Sequence, residues 1–140
     1  ENPITPIPEI TKMVKIVPLI KERIKTLDEV KPLINFFYAD DIHYEHTDLI
    51  QKDMDIHSTR FALENMNASL NNIGQFDEAT IESNLRSVAE TMALKPRQIF
   101  GILRIALTGL EVSPPLFKSI EILGKNTSLK RIDTAILKLQ

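Results

Sequence analysis

An arginine, a serine and a proline fall within ten positions of each other in this chain, at the spacing a helix end and a tight turn require. They are Arg104, Ser113 and Pro114, in the run Lys95-Pro-Arg-Gln-Ile-Phe-Gly-Ile-Leu-Arg-Ile-Ala-Leu-Thr-Gly109, with Val112-Ser-Pro-Pro-Leu-Phe117 and Ile122-Leu-Gly-Lys125 beyond it. A helix closed by Gly109 and a second helix opening at Ser113-Pro114 would aim free N–H groups at the place where Arg104 projects. Such a corner can hold a phosphate or a base edge. Arginine offers forked donors, serine a hydroxyl, and proline a flat apolar ring to an unpaired base. The same residues also suit a plainer part, with Ser113 as a cap, Pro114 as a first helical residue and Arg104 as a surface charge. On residue types alone the plainer part is the commoner, because Ser-Pro helix starts are frequent.

Other chemistry is sparse. The chain has no cysteine, which removes disulfides, thiolate metal sites and cysteine nucleophiles and suits a reducing cytosol. No Ser-His-Asp set, paired carboxylates or glycine-rich phosphate loop stands out, so no catalytic residue is assigned. The one metal-like cluster is Asp40-Asp-Ile-His-Tyr-Glu-His-Thr-Asp48. Scattered histidines in an acidic loop are common, and no metal ligand is assigned there either. Phe36, Phe37, Tyr38 and Phe61 have the faces to stack on bases, but helical spacing reads them as core. Lys118, Lys125, Lys130 and Arg131 form a basic set just after the corner, readable as an electrostatic footprint or as a solvated helix face.

Net charge is −2 over 140 residues, but its distribution is uneven. Residues 1–31 carry 6 basic and 5 acidic side chains, residues 32–94 carry 3 and 11, and residues 95–140 carry 8 and 3. The last third therefore stands at +5, a local balance that a phosphate backbone can use whatever the total. With 43% hydrophobic residues and 26% charged, the chain can bury a core and reads as a soluble folded domain. No apolar run approaches the roughly 18 residues of a membrane span. The first residue is Glu1 and not Met, which suggests a piece of a longer chain.

The elements that would position the corner are all helices. Apolar residues recur at helical spacing at Ile10, Met13, Val14, Val17, Ile20 and Ile24. Thr26 and Glu29 form a capping box for a second helix burying Val30, Ile34 and Phe37, unless Pro32 delays its start. An acidic irregular stretch runs from Ala39 to Asp55, and a long helix is expected over 56–71. Asp77 caps a helix reaching Met92, after which a seam divides a first subdomain, 1–94, from a second, 95–140. Pro96 opens the helix ending at Gly109, with Ile99, Ile102, Leu103, Ala106 and Leu107 inward. Leu116, Phe117, Ile120 and Leu123 face inward from the next helix, Gly124 ends it, and Leu129, Ile132, Ile136 and Leu137 mark the last. The expected class is all-α, in two small helical subdomains.

The combination Arg104-Ile-Ala-Leu-Thr-Gly109, Pro114-Pro-Leu-Phe117 and Leu123-Gly-Lys125 resembles the C-terminal signature of the glutamyl-tRNA synthetase family. Pro18-Leu-Ile-Lys-Glu-Arg-Ile-Lys-Thr-Leu27, with Phe36-Phe37 beyond, resembles the start of that family's helix cage, so the likeness spans nearly the whole chain. The resemblance implies two helical subdomains that clasp the anticodon loop of tRNA. It places Arg104, Ser113, Pro114 and Leu116 at base-contact positions, with Arg23 as a cage arginine. Lys125 and Arg131 of the basic set are further RNA-binding candidates by their charge. The resemblance implies tRNA for glutamate, and also for glutamine in some members, as the partner of a cytoplasmic monomer. The family's His-x-Gly-His and Lys-Met-Ser-Lys-Ser nucleotide-binding motifs have no counterpart here, so ATP and aminoacylation belong to a missing catalytic half and no cofactor is expected in this piece.

Two other readings remain. Helices over 97–108 and 114–123 superficially describe a helix-turn-helix DNA-binding module. Against it, the second helix leaves mainly Lys118, Ser119 and Glu121 outward, too few polar groups to read base edges. A helical protein-interaction domain, using the acidic middle as its face, is the other.

Overall fold

The computed structural model describes residues 14–18 and 30–140, and all regular structure among them is helical. A helical segment α1 covers residues 14–18. It is followed by α2 (Val30–Tyr38), α3 (His46–Leu49), α4 (Ile56–Asn71), α5 (Glu78–Thr91), α6 (Pro96–Thr108), α7 (Leu116–Leu123) and α8 (Lys125–Lys138). Arg23, Thr26 and Leu27 lie outside the described residues.

The starts of these helices follow from their caps. Asp55 accepts from the Ser58 N–H at 2.8 Å while Ser58 Oγ accepts from the Asp55 N–H at 2.9 Å, a reciprocal box that fixes the start of α4. Asp77 does half of this for α5, accepting from the Thr80 N–H at 2.8 Å. Pro96 occupies the first turn of α6, where its missing N–H costs nothing, and Gly109 closes that helix in the left-handed region at φ 72°. A side chain at Gly109 would also meet Ile42 Cγ2 at 2.7 Å, so the turn is pressed against the 42–43 strand of coil.

One start differs from expectation. α7 begins at Leu116, with Pro115 and not Ser113 at the cap position. A proline disfavours the helical region at the residue before it, which here means Ser113 and then Pro114, so the helix waits for Pro115 to pass.

The apolar stripes meet in one core. Ala62, Leu63, Met66 and Leu70 of α4, Ile81 and Leu85 of α5, Ile99, Ile102 and Leu103 of α6, Ile120 of α7, and Ile132 and Ala135 of α8 are all fully buried in a single cluster. Each of the larger side chains contributes about 1.5–3 kcal/mol by leaving water. α4 packs between α5 and α8, and α5 packs on α7, so side chains from both sides of residue 94 share this core. Polar ties cross the same line. Glu121 Oε1 accepts from the Glu78 N–H at 2.8 Å, Lys125 Nζ donates to the Ile73 carbonyl at 3.0 Å, and Asn67 donates to Asp133.

Several inward assignments are corrected. Ile16 is buried while Val14 and Val17 are exposed, which rotates the first helical face away from the predicted stripe. Phe36 and Phe37 are buried as expected, but Phe61 is 58% exposed, Tyr38 is at the surface, and Leu137 yields its place in the last helix to Ala135 and Leu139. No helix among the described residues is long and apolar enough to cross a membrane.

Candidate nucleic-acid interface

Arg104 and Ser113 meet, although the helix expected to open at Ser113-Pro114 begins only at Leu116. Arg104, half-buried on α6, donates from Nε to Ser113 Oγ at 3.3 Å, and Ser113 Oγ in turn donates to the Pro114 carbonyl at 2.9 Å. One turn of helix and one loop are thus tied together through a single hydroxyl. The Thr108 hydroxyl braces the helix end, donating to the Arg104 carbonyl at 2.6 Å and accepting from the Leu110 N–H at 3.0 Å. Ser113 and Leu116 are 5% and 6% exposed and Pro114 is also buried, so Arg104 is the member of this set with the most reach.

Arg104 faces a cleft of about 540 Å³. Its walls come from two separate stretches: Thr47 to Lys52 on one side, and Arg97, Gly101, Arg104 and Glu111 on the other. Gln98 binds the two walls together. Its Oε1 accepts from the Lys95 N–H at 2.8 Å at the start of α6, and its Nε2 donates to the Lys52 carbonyl at 2.9 Å. Lys52, Arg97 and Arg104 put three cations on the cleft against the carboxylates of Asp48 and Glu111. Asp48 is partly engaged, accepting from the Glu45 N–H at 3.0 Å. A cleft of this size, with guanidinium groups and a lining that mixes polar side chains with Ile50 and Ile105, can receive one flipped-out base with its phosphate.

The basic set after the corner is used differently. Arg131 is 7% exposed and donates to the Leu107 carbonyl at 2.7 Å and the Ala39 carbonyl at 2.8 Å, and burial pulls its pKa below the ordinary value. Lys125 caps the Ile73 carbonyl. Lys118 pairs with Glu121 at 3.0 Å, and this hydrogen-bonded ion pair holds the Glu121 carboxyl below its usual range. Lys130 is exposed. Three of the four cations in that set are therefore engaged within the fold, while Lys52 and Arg97, which the sequence did not single out, line the cleft. A lone glycine inside the pattern of α6 was the available signal, since Gly101 marks a close approach of another segment. Among the described residues, no three histidine or carboxylate groups come together as a ligand set, the Asp40–Asp48 stretch included.

A sequence model described as the anticodon binding domain matches residues 3–136. The chain belongs to the anticodon-binding domain family. Other anticodon-binding domains close to it in sequence lie within longer proteins. A glutamate–tRNA ligase of Dehalococcoides mccartyi is 44% identical over 126 residues, covering 90% of this chain and 26% of that protein. One from Roseiflexus castenholzii is 40% identical over 135 residues, covering 96% of this chain and 26% of its own length. The chain thus spans about a quarter of the relatives it matches. In three dimensions the anticodon-binding domain overlays part of the crystal structure of a glutamate–tRNA ligase from Elizabethkingia meningosepticum. The TM-score is 0.77 at 21% identity, over 93% of this chain and 25% of that one, a likeness of fold.

Proposed function

We propose that this anticodon-binding domain recognises the anticodon loop of tRNA on behalf of a glutamate–tRNA ligase, and that Arg104 is the side chain that reaches an unpaired base. The observation that carries this reading is the Arg104–Ser113 hydrogen bond at the edge of a cleft lined by three cations, which orients a forked donor toward it. Ser113, Pro114 and Leu116 shape the turn behind it, residues 95–140 supply the corner, and the stretch Thr47 to Lys52 of residues 1–94 supplies the other wall. Arg23 stays an RNA-binding candidate on the family resemblance alone. Lys125 and Arg131 act in this reading through the fold they hold. The partner is tRNA for glutamate, with glutamine isoacceptors a second substrate in a non-discriminating parent, and the domain works as a monomeric module of a cytoplasmic enzyme. ATP and the transfer of glutamate fall to the remaining part of that enzyme, about three quarters of its length.

The paired outward groups of α7, Lys118 and Glu121, leave little with which to read duplex DNA. Filter binding with a glutamate tRNA transcript, an unrelated tRNA and a DNA duplex tests the reading. Preference for the glutamate transcript is expected, and equal binding of all three would overturn it.

A further inference from the structure

The wall facing α6 is made by a side chain outside the corner. A Cβ placed on Gly101 would stand 2.3 Å from Gln51 Oε1 and 2.8 Å from its Cδ, far inside any real contact. Glycine in mid-helix costs about 1 kcal/mol relative to alanine, so this glycine is matched to what lies over it. The Gln51 amide nitrogen is already engaged, donating to the Leu49 carbonyl at 3.1 Å and to the Asp48 carbonyl at 3.4 Å. Those two bonds decide which end of the carboxamide is which. Among the described residues no donor is bonded to Oε1, and the turn that carries it is anchored by the Gln98 bond to Lys52. A neutral, directional acceptor is therefore held in place inside the cleft that contains Arg104.

We propose that Gln51, positioned by Gly101, is a specificity-determining residue of this cleft. Its Oε1 accepts a hydrogen bond from the amino or imino group of one unpaired base, while Arg97 and Lys52 in the same cleft take the adjoining phosphate. An acceptor with no donor capacity left favours base edges that present N–H and disfavours those that present a carbonyl, which Arg104 alone, a pure donor, would favour. The two side chains together define an edge with an acceptor and a donor. The inference rests on the reading of the chain as a binder of anticodon loops.

The test uses RNA hairpins of one stem and loop, varied through all four bases at each anticodon position, bound to the whole chain at fixed salt. The unmodified chain should prefer particular bases. Gln51→Leu should cut the preference at one position by about tenfold, leaving the other positions and the salt dependence unchanged. Gly101→Ala should do the same by displacing the carboxamide, and the double variant should be no worse than either single one, because both act on the same oxygen. If Gly101→Ala does not fold, Gln51→Leu decides alone. Unchanged discrimination in Gln51→Leu, beside lost discrimination in Arg104→Ala, would overturn the role of Gln51 and leave the anticodon reading standing. If the unmodified chain binds every hairpin equally, or none, that reading fails and this inference with it.

Discussion

Arg131 on the last helix and Leu107 near the end of α6 are joined by a 2.7 Å hydrogen bond from guanidinium to main-chain carbonyl. With its second bond to Ala39, the same side chain closes the ends of three segments that the sequence keeps far apart. Replacing it by methionine keeps the apolar stem but leaves two carbonyls without their donors. Urea unfolding of Arg131→Met should show a loss of about 2–4 kcal/mol, and Arg131→Lys a smaller one. A variant with full stability and lost RNA affinity would instead return Arg131 to the RNA-contact role expected from the sequence.

Arg104→Ala should weaken binding of the preferred anticodon loop by about 1–3 kcal/mol and narrow the gap between preferred and other loops. The control is Lys138→Ala, whose ammonium lies 4.9 Å from the ring centre of Tyr44, away from the cleft. Loss of affinity in the control with none in Arg104→Ala would mean that the wrong face had been assigned.

Lys52→Ala and Arg97→Ala should behave unlike Arg104→Ala. Both should weaken all RNA hairpins about equally, and each should reduce the slope of log affinity against log salt by about one, the mark of a lost phosphate contact. Binding measured across a salt series checks this. Slopes identical to the unmodified chain would remove these two residues from the interface.

Asp55 holds its carboxyl below the usual carboxylate range because the Ser58 N–H and hydroxyl donate to the charged form, and Asp77 does so through Thr80. Folded-state values depressed in this way add stability above the unfolded value, and that stability is lost as pH falls through the folded one, in a window below about pH 4. Asn caps a helix about as well as Asp but does not titrate. In Asp55→Asn and Asp77→Asn, melting temperature should therefore fall less steeply with acid than in the unmodified chain. Parallel curves would show that the caps contribute nothing to the acid response.

Local signals in the sequence were enough for the helices with strong punctuation. The span of α4, the Asp77 cap, Pro96 in a first turn and the left-handed close at Gly109 all depend on residues within one turn of each other. What was not legible depends on distant partners. The helix period alone cannot say that Phe61 and Leu137 face water, because that is decided by where α4 and α8 meet their neighbours. Arg131 looked like a phosphate ligand since nothing near it in sequence names Ala39 and Leu107 as its acceptors. The cleft was hidden for the same reason: Gln51 and Gly101 touch across fifty positions.

The core shared across residue 94 bears on how such a domain is inherited. Because α4 is wedged between α5 and α8, a change of volume on α8 must be matched on α4, and the two halves evolve as one fitted object. A chimera joining residues 1–94 of one relative to residues 95–140 of another brings together two surfaces never shaped to each other. Recombination among relatives would be tolerated at the domain's outer boundaries far more readily than at its middle.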